Sequence, residues 1–173
     1  MSLPQTLFDT QEAERGAELS DCRKYRWILW RKWNPELPQC AFIGLNPSTA
    51  DEIIDDPTIR RCIGFAKSWG LGGMVMLNAY AFRATQPKDM KAADDPVGYE
   101  NNMALDLASK SVIDGGGIVI AAWGSHCDEA RERKVCELIG RTVHCLGKTK
   151  DGRPRHPLYL RADTKPEVFW QPA

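Results

Sequence analysis

Residues 40–49 read Cys-Ala-Phe-Ile-Gly-Leu-Asn-Pro-Ser-Thr, an apolar run that breaks into glycine, an amide and proline and ends in hydroxyls. A continuous apolar run without alternation predicts a strand buried on both faces, from Cys40 to Leu45. Gly44 lets another group approach closely, Pro47 fixes φ, and Asn46 tolerates unusual backbone geometry while offering a donor and an acceptor. The stretch therefore holds an amide at the C-terminal end of a central strand, where open α/β sheets bind their ligands. An ordinary strand-to-helix turn, with Asn46 chosen for its backbone, has the same pattern.

The pattern recurs on either side. Arg26 to Arg31 is apolar and aromatic between charges and predicts a strand, turned toward the next one by Asn34 to Pro38. Thr58 to Trp69 places Ile59, Cys62, Ile63, Phe65 (or Ala66) and Trp69 at helical spacing, with Pro57 at a tolerated first-turn position and Gly70 as a stop. Met74 to Asn78 predicts the next strand, and Pro96 to Ser111 a helix that Gly115-Gly116-Gly117 separates from a strand at Ile118 to Trp123. A helix from Cys127 to Gly140 and a strand from Thr142 to Leu146 follow. Apolar strands alternating with helices predict an α/β three-layer sandwich, a mostly parallel central sheet flanked by helices. The polar, acidic residues 1–21 predict a flexible N-terminal extension or loose helix, and residues 22–173 a single α/β domain.

Composition narrows the class. Of 173 residues, 43% are hydrophobic and 27% charged, the profile of a soluble globular chain. No apolar stretch approaches the roughly 18–20 residues of a spanning helix, so no membrane partner is expected. The start, Met1-Ser2-Leu3-Pro4-Gln5, lacks a leader pattern, and a cytoplasmic location is expected. Six cysteines include no Cys-x-x-Cys pair and several sit in apolar runs, which predicts mostly buried, reduced thiols; neither a metal nor another cofactor is expected. Formal charge is zero, but it is unevenly spread. Arg23, Lys24, Arg26, Arg31 and Lys32 stand without an acid among them, and Lys148, Lys150, Arg153, Arg155 and Arg161 face Asp151 alone. Such stretches hold phosphates or form solvated faces.

Four polar sequences emerge at predicted strand ends: Asn46-Pro47-Ser48-Thr49, Asn78, Gly124-Ser125-His126 and Arg155-His156-Pro157. A parallel sheet directs them to one edge, where two amides, two histidines and hydroxyls would make a polar pocket.

The order and spacing of these motifs resemble the uracil-DNA glycosylase superfamily, in Gly44-Leu45-Asn46-Pro47, Leu77-Asn78, Trp123-Gly124 and His156-Pro157-Leu158. The stretch from Tyr25 to Leu160 also looks like the domain-of-unknown-function 1643 family of bacterial and phage proteins. That likeness rests on Gly44 to Ala50, on Asp55-Asp56-Pro57-Thr58 with Arg60-Arg61, and on His156 to Leu160. The glycosylase resemblance implies a glycosylase-like fold and a nucleic-acid or nucleotide partner. It assigns Asn46 to the attacking water, Asn78 to the base edge, and His156 to a hydrogen bond on the base oxygen as the glycosidic bond breaks. A flipped base would need an aromatic shelf, for which Phe65, Tyr80 and Phe82 are candidates.

The sequence departs from that pattern in informative places. Ser48 stands where one branch has a bulky tyrosine, which opens the pocket floor. Leu158-Tyr159 replaces the Ser-Pro that pinches a DNA phosphate, and no apolar wedge is evident. Of Asp51, Glu52, Asp55 and Asp56, one could be the general base an amide cannot be, Asp51 being the candidate, while Asp55 and Asp56 read as acids at a helix N-terminus. Arg60 and Arg61 in that first turn read as partners of Asp55 and Asp56. Arg83 is a candidate for phosphate or a surface salt bridge, together with Lys148, Lys150, Arg153 and Arg155 for phosphate. His126 beside Cys127 suggests a thiol nucleophile only if the two face one another, and His144 reads as a core or edge histidine with a satisfied ring.

Three functions remain open at this point: a nucleobase- or nucleotide-binding, glycosylase-like hydrolase of N-glycosidic bonds in DNA, a non-catalytic nucleic-acid or nucleotide-binding module, and a small-molecule hydrolase using carboxylates near Asp51.

Overall fold

The computed structural model describes residues 14–173. Its elements run β1 (Glu14–Leu19), β2 (Arg26–Lys32), β3 (Gln39–Gly44), α1 (Pro57–Ser68), β4 (Gly73–Asn78), α2 (Pro87–Lys91), α3 (Asn101–Asp114), β5 (Ile118–Ala121), α4 (Glu129–Ile139), β6 (Val143–Cys145), a 3₁₀ turn (Pro157–Tyr159) and β7 (Glu167–Trp170). The seven strands form one sheet in the order β1-β2-β4-β3-β5-β6-β7.

The sheet is mixed rather than mostly parallel. β4, β3, β5 and β6 form a parallel block, β1 and β2 extend it antiparallel on one side, and β7 pairs antiparallel with β6 on the other. The short Asn34–Pro38 connection sends β3 back against the direction of β2, and β4 then inserts between them, so β2 meets β4 antiparallel. Residues 14–19, expected within a flexible extension, are the edge strand β1; residues 1–13 lie outside the described residues. Glu14, Arg15 and Glu18 make β1 half polar, as an edge strand must be, and Gly16 admits the Trp30 ring where a side chain would collide with it.

Two apolar layers cover the sheet. On one face α1 buries Ile59, Cys62, Phe65 and Ala66 against Phe42, Met74, Met76 and Ile120. On the other, Met90, Leu105, Val112, Val135 and Ile139 from α2, α3 and α4 pack on Ala41, Ile43, Val75, Leu77 and Val119. The α1 helix starts where its signals place it: Asp56 caps it, its Oδ1 accepting from Ile59 N at 2.9 Å, Pro57 begins it, and Gly70 turns the chain at φ +75°. Helix α3 starts later than the sequence suggests because Gly98, at φ +86°, packs beneath Trp27 and Tyr25 and holds the preceding residues in a loop. All six cysteines are free and five are buried. No helix among the described residues is long and apolar enough to cross a membrane.

From β3 the chain crosses through α1 to β4 on one side, and from β5 through α4 to β6 on the other. The connections thus diverge between β3 and β5, and a crevice opens beyond the C-terminal ends of such neighbouring strands.

Candidate functional site

A cleft of about 590 Å³ lies at that point, within the size range of small-ligand sites. Three of its walls come from strand ends: Leu45–Ser48 after β3, Asn78 at the end of β4, and Trp123–His126 after β5. The fourth is the loop carrying Thr149, Arg155, His156, Leu158 and Tyr159, and Asp56, Thr58 and Ile59 at the start of α1 close the side. The backbone past β3 is tied to that past β4, since Ala79 N donates to Gly44 O, Tyr80 N to Leu45 O and Ala84 N to Pro47 O, each at 2.9 Å.

Asn46 is fixed in one orientation. Its Nδ2 donates to Ala84 O at 2.8 Å and to Pro47 O at 3.1 Å, with Phe82 O sharing a hydrogen at 3.5 Å, and only the amide nitrogen can donate to carbonyls. The acceptor Oδ1 is left for the cleft. Asn78 is buried at 3% exposure and lies against Gly44, where a Cβ would approach its Nδ2 to 2.8 Å, so the glycine is required by this close approach. Asn101 Nδ2 holds the chain there from below, donating to the carbonyls of Asn78 and Ala79 at 3.0 and 3.1 Å.

Sequence reasoning missed the residue beside Asn78. Arg26, 2% exposed, lines the cleft, donating from Nη2 to Asn78 Oδ1 at 3.2 Å and from Nη1 to Ala50 O at 3.0 Å. Its Nε is buried without a partner, and no carboxylate among the described residues lies within ion-pair distance of it. Burial lowers its pKa to about 10, against an opposing pull from Asp56, so it stays cationic at neutral pH.

His156 faces the same cleft. Leu158 N donates to its Nδ1 at 3.2 Å, so Nδ1 is the unprotonated nitrogen and Nε2 carries the hydrogen. Burial pushes the imidazole below its ordinary value, more than nearby Asp56 raises it, which favours the neutral ring at pH 7. The turn is clamped to α1 by Arg61, whose guanidinium donates to Leu160 O, and by Trp69 Nε1, which donates to Thr164 O at 3.1 Å. Gly124, at φ +72°, passes close to His156.

Residues 26–158 match the family model described as protein of unknown function (DUF1643). The chain belongs to the DUF1643 family. The matched span contains every cleft residue named above except Tyr159. No match was found among curated proteins or among solved structures.

Within this DUF1643 chain the expected site residues divide. Asn46, Ser48, Asn78, Arg155 and His156 come together at the cleft. Phe65, Tyr80 and Phe82 supply no shelf. Phe65 is on the buried stripe of α1, stacked on Trp69 at 5.6 Å. Tyr80 packs in the α3/α4 layer and donates its hydroxyl to Asp128 Oδ2 at 2.9 Å, and Phe82 sits edge-on to Tyr25. The cleft's aromatic groups are instead Trp123, fully buried in the wall, and Tyr159 at the rim, 76% exposed with its ring 5.8 Å from that of His156.

The carboxylates are sorted by arginines. Asp51 does not line the cleft; its Oδ1 accepts from Ile53 N and Ile54 N at 2.9 and 2.8 Å, and these backbone bonds hold it below the usual carboxylate range. Glu52 forms a bidentate pair with Arg23, and Asp55 is taken by Arg31 at 2.7 Å and Arg15 at 3.2 Å. Asp56 is the one acid lining the cleft among the described residues. Arg60 and Arg61 pair with neither Asp55 nor Asp56 through carboxylates: Arg60 donates to the Asp55 carbonyl and Arg61 to Leu160.

Among the expected phosphate ligands, Arg83 is spent on the carbonyls of Ser48 and Arg23, and Arg153 turns inward to Cys127 O and Glu132. Lys148 and Lys150 are exposed on a tight loop closed by the Lys148–Pro154 bridge, near the rim that Arg155 reaches. Cys127 is buried away from the cleft and its thiol is pushed up to about 12 by burial, so it is no nucleophile partner for the exposed His126. His144 Nδ1 is buried without a partner, contrary to the satisfied ring expected.

Proposed function

We propose that this cleft binds a nucleobase or nucleotide and hydrolyses an N-glycosidic bond in DNA, on a uracil-DNA glycosylase-like architecture. The observation that carries the reading is the state of His156: Nδ1 is occupied by Leu158 N, burial favours the neutral ring, and Nε2–H is the donor left in a cleft that Asn46 and Asn78 also line. A leaving base gathers charge on its oxygen as the bond breaks, and a donor already in place stabilises that charge more than the neutral base. Asn46 Oδ1 suits a water as acceptor, with Asp56 the nearby carboxylate. The divergence of the crossovers between β3 and β5 supports the same architecture.

Incubating the protein with single- and double-stranded DNA carrying uracil or other altered bases, then cleaving abasic sites with alkali, tests the reading. Strand cleavage that slows about a hundredfold in His156→Ala is expected. Absence of cleavage on every substrate at high enzyme concentration removes the hydrolase.

A binding module without turnover is the second reading, favoured by the exposed Lys148 and Lys150 beside the rim. It predicts salt-sensitive oligonucleotide binding with no abasic product.

A further inference from the structure

The cleft floor carries a charge that no carboxylate among the described residues pairs with. A guanidinium has five donors, and two of those of Arg26 are engaged, by Ala50 O and Asn78 Oδ1. Both acceptors are neutral, and Nε is buried with nothing to bond. The contrast is Arg31 on the same strand: equally buried at 4% exposure, it meets Asp55 at 2.7 Å and donates to the carbonyls of Gly16, Trp30 and Asp51. A buried cation without a carboxylate is costly and is ordinarily paired. Two buried arginines among the described residues lack one: Arg131, held by Ala79 O and Asn102 Oδ1 and set over the Tyr80 ring, and Arg26, and of the two only Arg26 lines the cleft. Asp56, the nearest cleft acid, has one oxygen committed to capping α1 and makes no ion pair with it.

We propose that the floor of the cleft is a subsite for a planar organic anion, centred on Arg26 with Asn78 and the Nε2–H of His156 beside it. Such an anion supplies acceptors for guanidinium hydrogens that Ala50 and Asn78 leave unengaged, and its charge offsets the one that no carboxylate among the described residues pairs with. The identity of the ligand rests on the nucleobase reading: an ionised imide, the form in which a pyrimidine leaves a glycosidic bond. The charge of the subsite does not rest on it.

Three probes separate these statements in calorimetric titrations of the full chain in mildly alkaline buffer: nitrouracil, whose imide is then ionised, thymine, of similar size and un-ionised, and inorganic phosphate. Nitrouracil is expected to bind at least about tenfold more tightly than thymine. Arg26→Met is expected to abolish that preference and Arg26→Lys to retain most of it, with circular dichroism verifying that each variant is folded. If Arg26→Met does not fold, the decision rests on Arg26→Lys and the wild-type preference. Equal binding of the two bases, or a preference that survives Arg26→Met, overturns the anion subsite while leaving the nucleobase reading standing. Phosphate binding that depends on Arg26, with neither base bound, upholds an anion subsite and ends the nucleobase reading. No binding of any of the three ends both.

Discussion

The two ends of β2 make opposite use of the same residue. At one end Arg31 is buried beside Asp55 and laces the 51–55 segment to the sheet. At the other, Arg26 is buried against neutral acceptors and borders a cleft. A buried charge that is matched by the protein is part of the fold, whereas one left unmatched in a concave site is held ready for something that arrives later. The rim repeats the distinction in exposed form, for Arg153 is paired inward while Lys148 and Lys150 face solvent.

The comparison breaks most readily on stability. Arg31→Met leaves Asp55 to the half-exposed Arg15 alone and frees the carbonyls of Gly16, Trp30 and Asp51, and it is expected to lower the unfolding free energy by about 3 kcal/mol, read by urea denaturation. Arg26→Met removes an unmatched charge along with two hydrogen bonds and is expected to cost less than half of that. Equal losses would make Arg26 another structural arginine.

Function should run the other way. His156→Ala is expected to slow abasic-site formation about a hundredfold, the scale for losing one preorganised donor, while the protein stays folded. Asp51→Asn, which alters a turn outside the cleft, is expected to change the rate by less than about threefold while lowering stability. A rate that collapses in Asp51→Asn and survives in His156→Ala would move the chemistry to the 51–55 segment.

Smaller effects sharpen the rim. Replacing Lys148 and Lys150 by glutamine is expected to lower the salt dependence of binding to single-stranded oligonucleotides, by a slope of about 0.7 for each phosphate no longer neutralised. Binding of a free base should not change.

The pH dependence follows from His156. Its folded pKa lies below the ordinary 6.5, so the unfolded chain takes the proton first. The stability this ring contributes is complete above that value and is lost as pH falls through it toward the lowered one. His156→Asn, which keeps an acceptor for Leu158 N, is therefore expected to gain on the wild type in mildly acidic urea titrations. A constant difference across that range would mean that the ring is not held neutral.

The apolar runs made β2 to β6 and α1 legible because each buries a continuous stripe with clear caps and stops. β1 and β7 were hidden: ERGAEL is half polar and EVFW is only four residues long, and their pairing with β2 and β6 is a tertiary fact. Without β1, Arg26 reads as a charge flanking an edge, when it lies within the sheet beside Asn78. The cleft amides and His156 were readable because strand ends converge. The aromatic shelf was not, since proximity in sequence to Asn78 does not tell on which face Tyr80 emerges, and the helical stripe that predicted α1 also commits Phe65 to the core.

The most direct test of the central claim is a crystal structure of the protein with nitrouracil bound. The ring is expected in the cleft with one oxygen on His156 Nε2 and the imide edge on Arg26 and Asn78. A base stacked on Tyr159 at the rim, with Arg26 untouched, would contradict it.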